Sequence, residues 1–335
     1  MRQLIFNVLI AAALVAGAPA ILAQELQPDQ DVPQRWTAEG WETDFSKATV
    51  SYNEVIDVIG RDNIPSIDDP QFKPVAEEAS IPGNEPVIGL ELNGDARAYP
   101  LRIMMWHEIV NDEIGGVPVA VTYCPLCNTS IVFDRRVDGD AVEFGTTGKL
   151  RHSDLIMYDR AEQNWWQQFN GEAIAGVRAG EELKAYPSRL MSLDLFRELH
   201  PDGDILVPDP RRIQQLGRNP YVGYDSSARP FLFRGEIPDD INPMMRVALV
   251  QSPTPIGVAL PLLQEKGEVV HNDLIFRWSA GQASALDRSE ISQGRDVGNI
   301  EVVRKTSTGE DEPVVHEITF AFAARAFMSD LTILQ

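Results

Sequence analysis

From residue 86 onward, short apolar runs are separated by turn dipeptides at regular intervals, the pattern of successive strands. "PVIGLELNGDARAYPL" predicts a strand at Val87–Leu92, an Asn93-Gly94 turn and a return strand at Ala96–Tyr99. Pro100 then stands in the first-turn position of a helix over Leu101–Asn111, where its missing N–H does no harm. Gly115-Gly116 and Pro118 close that unit, and Val119–Tyr123 reads as a buried strand. Further strands are expected at Ser130–Arg135, at Ala141–Thr146 after an Asp138-Gly139 turn, and in "SDLIMYDR", "NWWQQF" and "EAIAG". Ser192 caps a helix that runs to His200 and stops at Pro201. Together these elements predict an α+β fold, mainly antiparallel sheet with a few helices.

The order of elements repeats faintly. "MSLDLFRELHPDGDIL" (191–206) resembles "TFAFAARAFMSDLTIL" (319–334), and "VTYCPLCNTSIVFDR" (121–135) lies over "IFRWSAGQASALDR" (275–288). "RVALVQSPTPIGVALPLL" (246–263) echoes the opening hairpin. The expected organisation is two diverged halves, 86–210 and 246–335, joined by a connector at 211–245. Residues 24–85, rich in Pro, Asp and Gln, form an extended arm. Arg2, the apolar run Leu4–Ala16 and small residues through Ala23 have the layout of a secretory signal peptide over 1–23. The run is shorter than the roughly 20 residues a spanning helix needs. A periplasmic or secreted protein with no membrane span after cleavage follows.

Charge narrows the partners. Lys and Arg number 29 against 50 Asp and Glu, a net charge of −21, which repels nucleic acid and anionic lipid and favours cations. Both cysteines of the chain, Cys124 and Cys127, stand in "TYCPLCNTS". Asn128 occupies the place of the histidine that haem attachment requires. A thioredoxin-like pair needs a helix starting at the first cysteine, yet β-branched residues follow. A disulfide is compatible with an oxidising compartment, although it would close a very short loop. A metal knuckle is the remaining reading: a turn between strands, stiffened by Pro125, presents both sulfurs to one ion.

Such an ion needs further donors. Of the five histidines, His107 shares a face with Ile103, Trp106 and Val110 on the predicted helix and points inward, as ligand or as buried core residue. Glu108 and Asp112 could orient it, and His152, Asp154, Tyr158, Asp159 and Arg160 form a second polar group. His200, His271 and His316 have ordinary readings at a helix end, in a loop and on an exposed strand, and methionines such as Met104 and Met157 read as core. No haem, nucleotide or flavin motif occurs, and no acid–base pair stands out for hydrolysis.

"YPLRIMMWHEIVND", "GGVPVAVTYCPLCNTSIVFDRRVDG", "FGTTGKLRHSDLIMYDR" and "GEAIAG" closely resemble a family of exported or membrane-associated bacterial and archaeal proteins, known only as domain of unknown function 3179. The resemblance spans roughly 86–335. Members usually carry Gly after the second cysteine and Asn at the place of His152, so Asn128 and His152 are departures. The family implies no reaction. The residues themselves point first to one bound metal ion, copper ahead of zinc, held by Cys124, Cys127 and His107 for metal handling or electron transfer. A thiol–disulfide redox protein and a binding module with a structural disulfide are the alternatives.

Overall fold

The structure, a computed structural model, describes residues 32–208, 216–307 and 309–335. The expected signal peptide at 1–23 lies outside the described residues. The fold corrects the α+β expectation. About 40 % of the chain is strand and 14 % helix, and five small sheets stand in a propeller-like ring. The five described α-helices are only four to seven residues long. Helices that short have no independent stability and serve as corners between strands.

The predicted helix over Leu101–Asn111 is the main local error. Only Leu101–Met104 is helical. The chain turns at Glu108, whose φ is 59°, and Ile109–Ile114 becomes a strand. That strand pairs with Val117–Cys124 through a Gly115-Gly116 hairpin turn in which both φ values are positive. A Cβ on Gly115 would sit 2.2 Å from the Leu92 carbonyl oxygen, so glycine is required there. The apolar positions of 103–110 fit a helix face and a strand–turn–strand equally well, and pairing decided between them. Elsewhere the turn dipeptides locate strands well. Pro86–Leu92 and Asp95–Pro100 form the expected hairpin, and Ser192 accepts a bond from Leu195 N at the start of the Leu193–Leu199 helix.

Two sheets share one plan. One orders its strands Arg189–Ser192, Pro86–Leu92, Asp95–Pro100 and Asp204–Val207, with Gln71–Pro74 added outside. The other orders them Glu317–Phe320, Arg246–Val250, Ile256–Ala259 and Thr332–Leu334. In both, the last of these strands runs parallel to its neighbour, and a seven-residue helix connects it to the first. The alignment of 121–135 with 275–288 fails halfway. Val117–Cys124 and Leu274–Ser279 are both strands, but the strand that follows and pairs with Leu274–Ser279 comes only at Asn299–Lys305. Residues 280–298 replace what is a short turn at the cysteines.

The largest apolar cluster runs across the molecule, from Ile88 and Tyr123 to Phe320 and Leu331. A second cluster packs Trp36, Trp41 and Tyr52 of the N-terminal segment on Trp165. Trp165 and Trp166 fall into different clusters, as strand neighbours pointing to opposite faces must. Lys149 is fully buried beneath this segment, with Nζ 2.6 Å from Glu39 Oε2 and 3.2 Å from Asp57 Oδ1. A buried ammonium needs such partners, so these two carboxylates fix the segment to the body.

Candidate metal centre

Val117–Cys124 and Thr129–Asp134 are adjacent antiparallel strands, and Cys124 to Asn128 makes the turn between them. No helix begins at Cys124. Asn128 closes the turn with φ 58°, a left-handed conformation open to glycine and, among other residues, mostly to asparagine. Its side chain adds a bond, Nδ2 donating to the Ile318 carbonyl at 2.7 Å. Thr319 Oγ1 and Phe320 N donate to the Cys127 carbonyl at 3.0 and 3.1 Å. The turn is therefore held from outside by a strand some 190 positions away.

Against this turn lies another. Phe144–Arg151 and Asp154–Asp159 are joined by His152 and Ser153, with φ 53° and 66°. Two consecutive left-handed residues match the twist of a tight hairpin, and Asn is at ease there. Asn128 and His152 thus both fall on positive φ, where Gly or Asn relieves strain. The Ser153 carbonyl lies 3.5 Å from Cys124 Sγ and the His152 carbonyl 3.8 Å from Cys127 Sγ.

The hairpin delivers Asp154 to the cysteines. One ligand atom each from Cys124, Cys127 and Asp154 lie within 4.8 Å of one another, the one such grouping of three or more among the described residues. Cys127 and Asp154 have no solvent exposure and Cys124 only 2 %. Both cysteines are free thiols. Asp154 accepts from Gln167 Nε2 at 2.7 Å and Phe169 N at 2.9 Å, which fixes its carboxylate.

Burial dominates the protonation of this group. It pushes both thiols upward, and Cys127 well above the usual thiol range. It also raises Asp154 to about 7, against hydrogen bonds from Gln167, Phe169 N, Thr129 and Cys124 that favour the carboxylate. Glu108, buried nearby, is raised to about 8 by desolvation and then by the charge of Asp154. No described residue donates a hydrogen bond to the Glu108 carboxyl. Two thiols and two carboxyls are thus buried near one another, and no described cation pairs with them. Donors around one tetrahedral ion at about 2.0–2.3 Å stand roughly 3.3–3.8 Å apart, so a small closure would let the three join.

His107 is not in this grouping. It lies in the turn before the Ile109–Ile114 strand, and its Nδ1 donates to the Pro65 carbonyl at 2.8 Å. The remaining expected residues have separate duties. Asp112 accepts from Arg97 and from the Tyr99 hydroxyl. His152 Nε2 is 3.2 Å from Glu54. Tyr158 donates to Asp62 at 2.6 Å, and Arg160 reaches Asp62 and Ser66. Asp159 collects Glu162 N, Asn164 and Trp166 Nε1, the work of a turn anchor. His316, expected on an exposed strand, is buried, which drives its imidazole down to about 4. The connector contributes a roof that spacing did not reveal. Tyr224 donates to the Leu126 carbonyl at 2.9 Å, and Ser153 Oγ donates to the Phe231 carbonyl at 2.6 Å.

The chain belongs to the family described as protein of unknown function DUF3179, matched over residues 61–331. The match begins 25 residues before the stretch that carried the resemblance, so part of the N-terminal segment belongs to the family unit. No curated protein and no solved structure matches the chain. No helix among the described residues is long and apolar enough to cross a membrane.

Proposed function

We propose that this protein is exported and binds one transition-metal ion through Cys124, Cys127 and Asp154. The observation that carries the reading is the convergence of these three buried donors, from two separate turns, within 4.8 Å. The donor set favours zinc over copper. A carboxylate oxygen beside two thiolates suits a borderline ion such as Zn²⁺, whereas Cu(I) calls for soft sulfur donors, and Met104, Met105 and Met157 are occupied in the core. Three protein donors leave a fourth position for water or another ligand. The redox alternative is weaker, since thiols held protonated and buried are poor nucleophiles. The signal-like N-terminus supports export. The shared strand order of two sheets supports a duplicated chain, with the chemistry in the first half.

Elemental analysis of protein purified without chelators, combined with thiol counting, tests the site. One ion per chain and two thiols unreactive until chelation are expected. Asp154→Ala should weaken retention at least about tenfold and Cys124→Ser should abolish it. Uptake should release protons and tighten as pH rises through about 7 and beyond, because Asp154 and the thiols, all pushed up by burial, must ionise to bind. A protein with no metal and no titratable thiol after denaturation would instead hold a disulfide.

A further inference from the structure

A cleft of about 610 Å³ opens between the Thr129–Asp134 strand of the cysteine sheet and the Asp311–Pro313 and Glu317–Phe320 strands. This is within the range of small-molecule sites. Phe133, Phe169 and Met328 give it apolar walls. Among them stands Glu317, which is 2 % exposed. Gln251 Nε2 donates to its Oε1 at 2.7 Å, and no described residue donates to its Oε2. Buried carboxylates normally gather two or more donors, and this one has a single neutral amide.

Carboxyls outnumber cations around the cleft three to one. Glu182 and Glu312 also line it, and neither pairs with a described cation. Arg304 lines it too, but its charge is engaged by Asp273 at 2.8 Å. A negative, partly aromatic cleft with one unfilled acceptor is complementary to a cation that carries N–H donors. An anion would meet three carboxyls, and a neutral apolar molecule would leave Glu317 unsatisfied.

We infer that this cleft binds a small organic cation, a primary ammonium on an apolar body, with Glu317 as its carboxylate partner and Phe133 and Phe169 as its walls. Burial raises the Glu317 carboxyl to about 8, with Gln251 opposing and Asp154 adding to the rise, so an arriving ammonium would supply the charge that the carboxylate lacks. Glu317 is not one of the three donors of the metal centre, so this inference does not rest on that reading.

Titration calorimetry with benzylammonium, benzyl alcohol and benzoate, on protein with and without chelator treatment, provides the test. Benzylammonium should bind, benzoate should not, and benzyl alcohol should bind at least about tenfold more weakly than the amine. Glu317→Gln, with its fold checked by thermal melting, should lose at least about tenfold in amine affinity. Ala185→Phe, which fills the cleft from a different strand, should lose binding while leaving Glu317 in place. The inference is overturned if the alcohol binds as tightly as the amine or if Glu317→Gln binds unchanged. It is equally overturned if the wild type binds benzylammonium more weakly than about 10 mM. Amine binding that survives chelation separates this site from the metal centre.

Discussion

Glu108 shows how one side chain can set the pH behaviour of the region around the cysteines. Its carboxyl is buried near Asp154 and Cys124, receives no hydrogen bond from the described residues and titrates near 8. In the unfolded chain it would lose its proton near its ordinary value of 4.5. A raised folded value stabilises the protein below that point and loses the stabilisation as pH climbs from about 4.5 to about 8. Glu108→Gln removes this linkage. Metal-free Glu108→Gln protein should therefore gain stability over wild type progressively across that window, with no gain below it. Denaturant midpoints measured at several pH values would show it, and a difference independent of pH would contradict the assignment.

The turn Cys124–Asn128 is the element on which the centre depends. Asn128 has two functions that substitution can separate: it adopts φ 58° and it bonds the Ile318 carbonyl. Asn128→Gly should lose only the bond, while Asn128→Ala should lose the bond and strain the backbone. Alanine is expected to destabilise by about 2 kcal/mol and to be worse than glycine by about 1 kcal/mol, measured by chemical denaturation. Elements with local signals were legible from the sequence. The Asn93-Gly94 hairpin, the strands beside the cysteines and the Ser192 cap each rest on neighbouring residues. The 101–111 segment was not legible, because its period fits two structures and the choice lay with the strand it joins. Asp154 was singled out in the sequence only as one of a second polar group with His152, Tyr158, Asp159 and Arg160, and not as a third donor. Its meeting with the cysteines comes from two hairpins packing tip to tip, which spacing along the chain does not encode.

At the level of the whole molecule, the excess of acid is the dominant force outside the core. A net charge of −21 works against compactness, and salt weakens that repulsion. Surface ion pairs, which salt also weakens, contribute little each. The melting temperature should rise by several degrees between low salt and about 0.5 M sodium chloride. A fall over that range would mean that the ion pairs outweigh the net charge. Locally, by contrast, the same acidity is managed by pairing. Asp225 in the connector meets Arg246, Arg295 and Ser284, so the roof over the cysteine turn is anchored in the second half.

The contacts of Cys127 with Thr319 and Phe320 also bear on timing. A ribosome makes the cysteines long before residues 317–320, so the growing chain carries its thiols for most of its synthesis without the strand that seals them. Until that strand arrives, the Cys127 carbonyl has neither donor and the turn has no clamp. The finished geometry of the turn is therefore reached only late in synthesis. During synthesis the two thiols are open to any oxidant they meet, and the Glu317–Phe320 strand, made near the end of the chain, decides when that exposure ends.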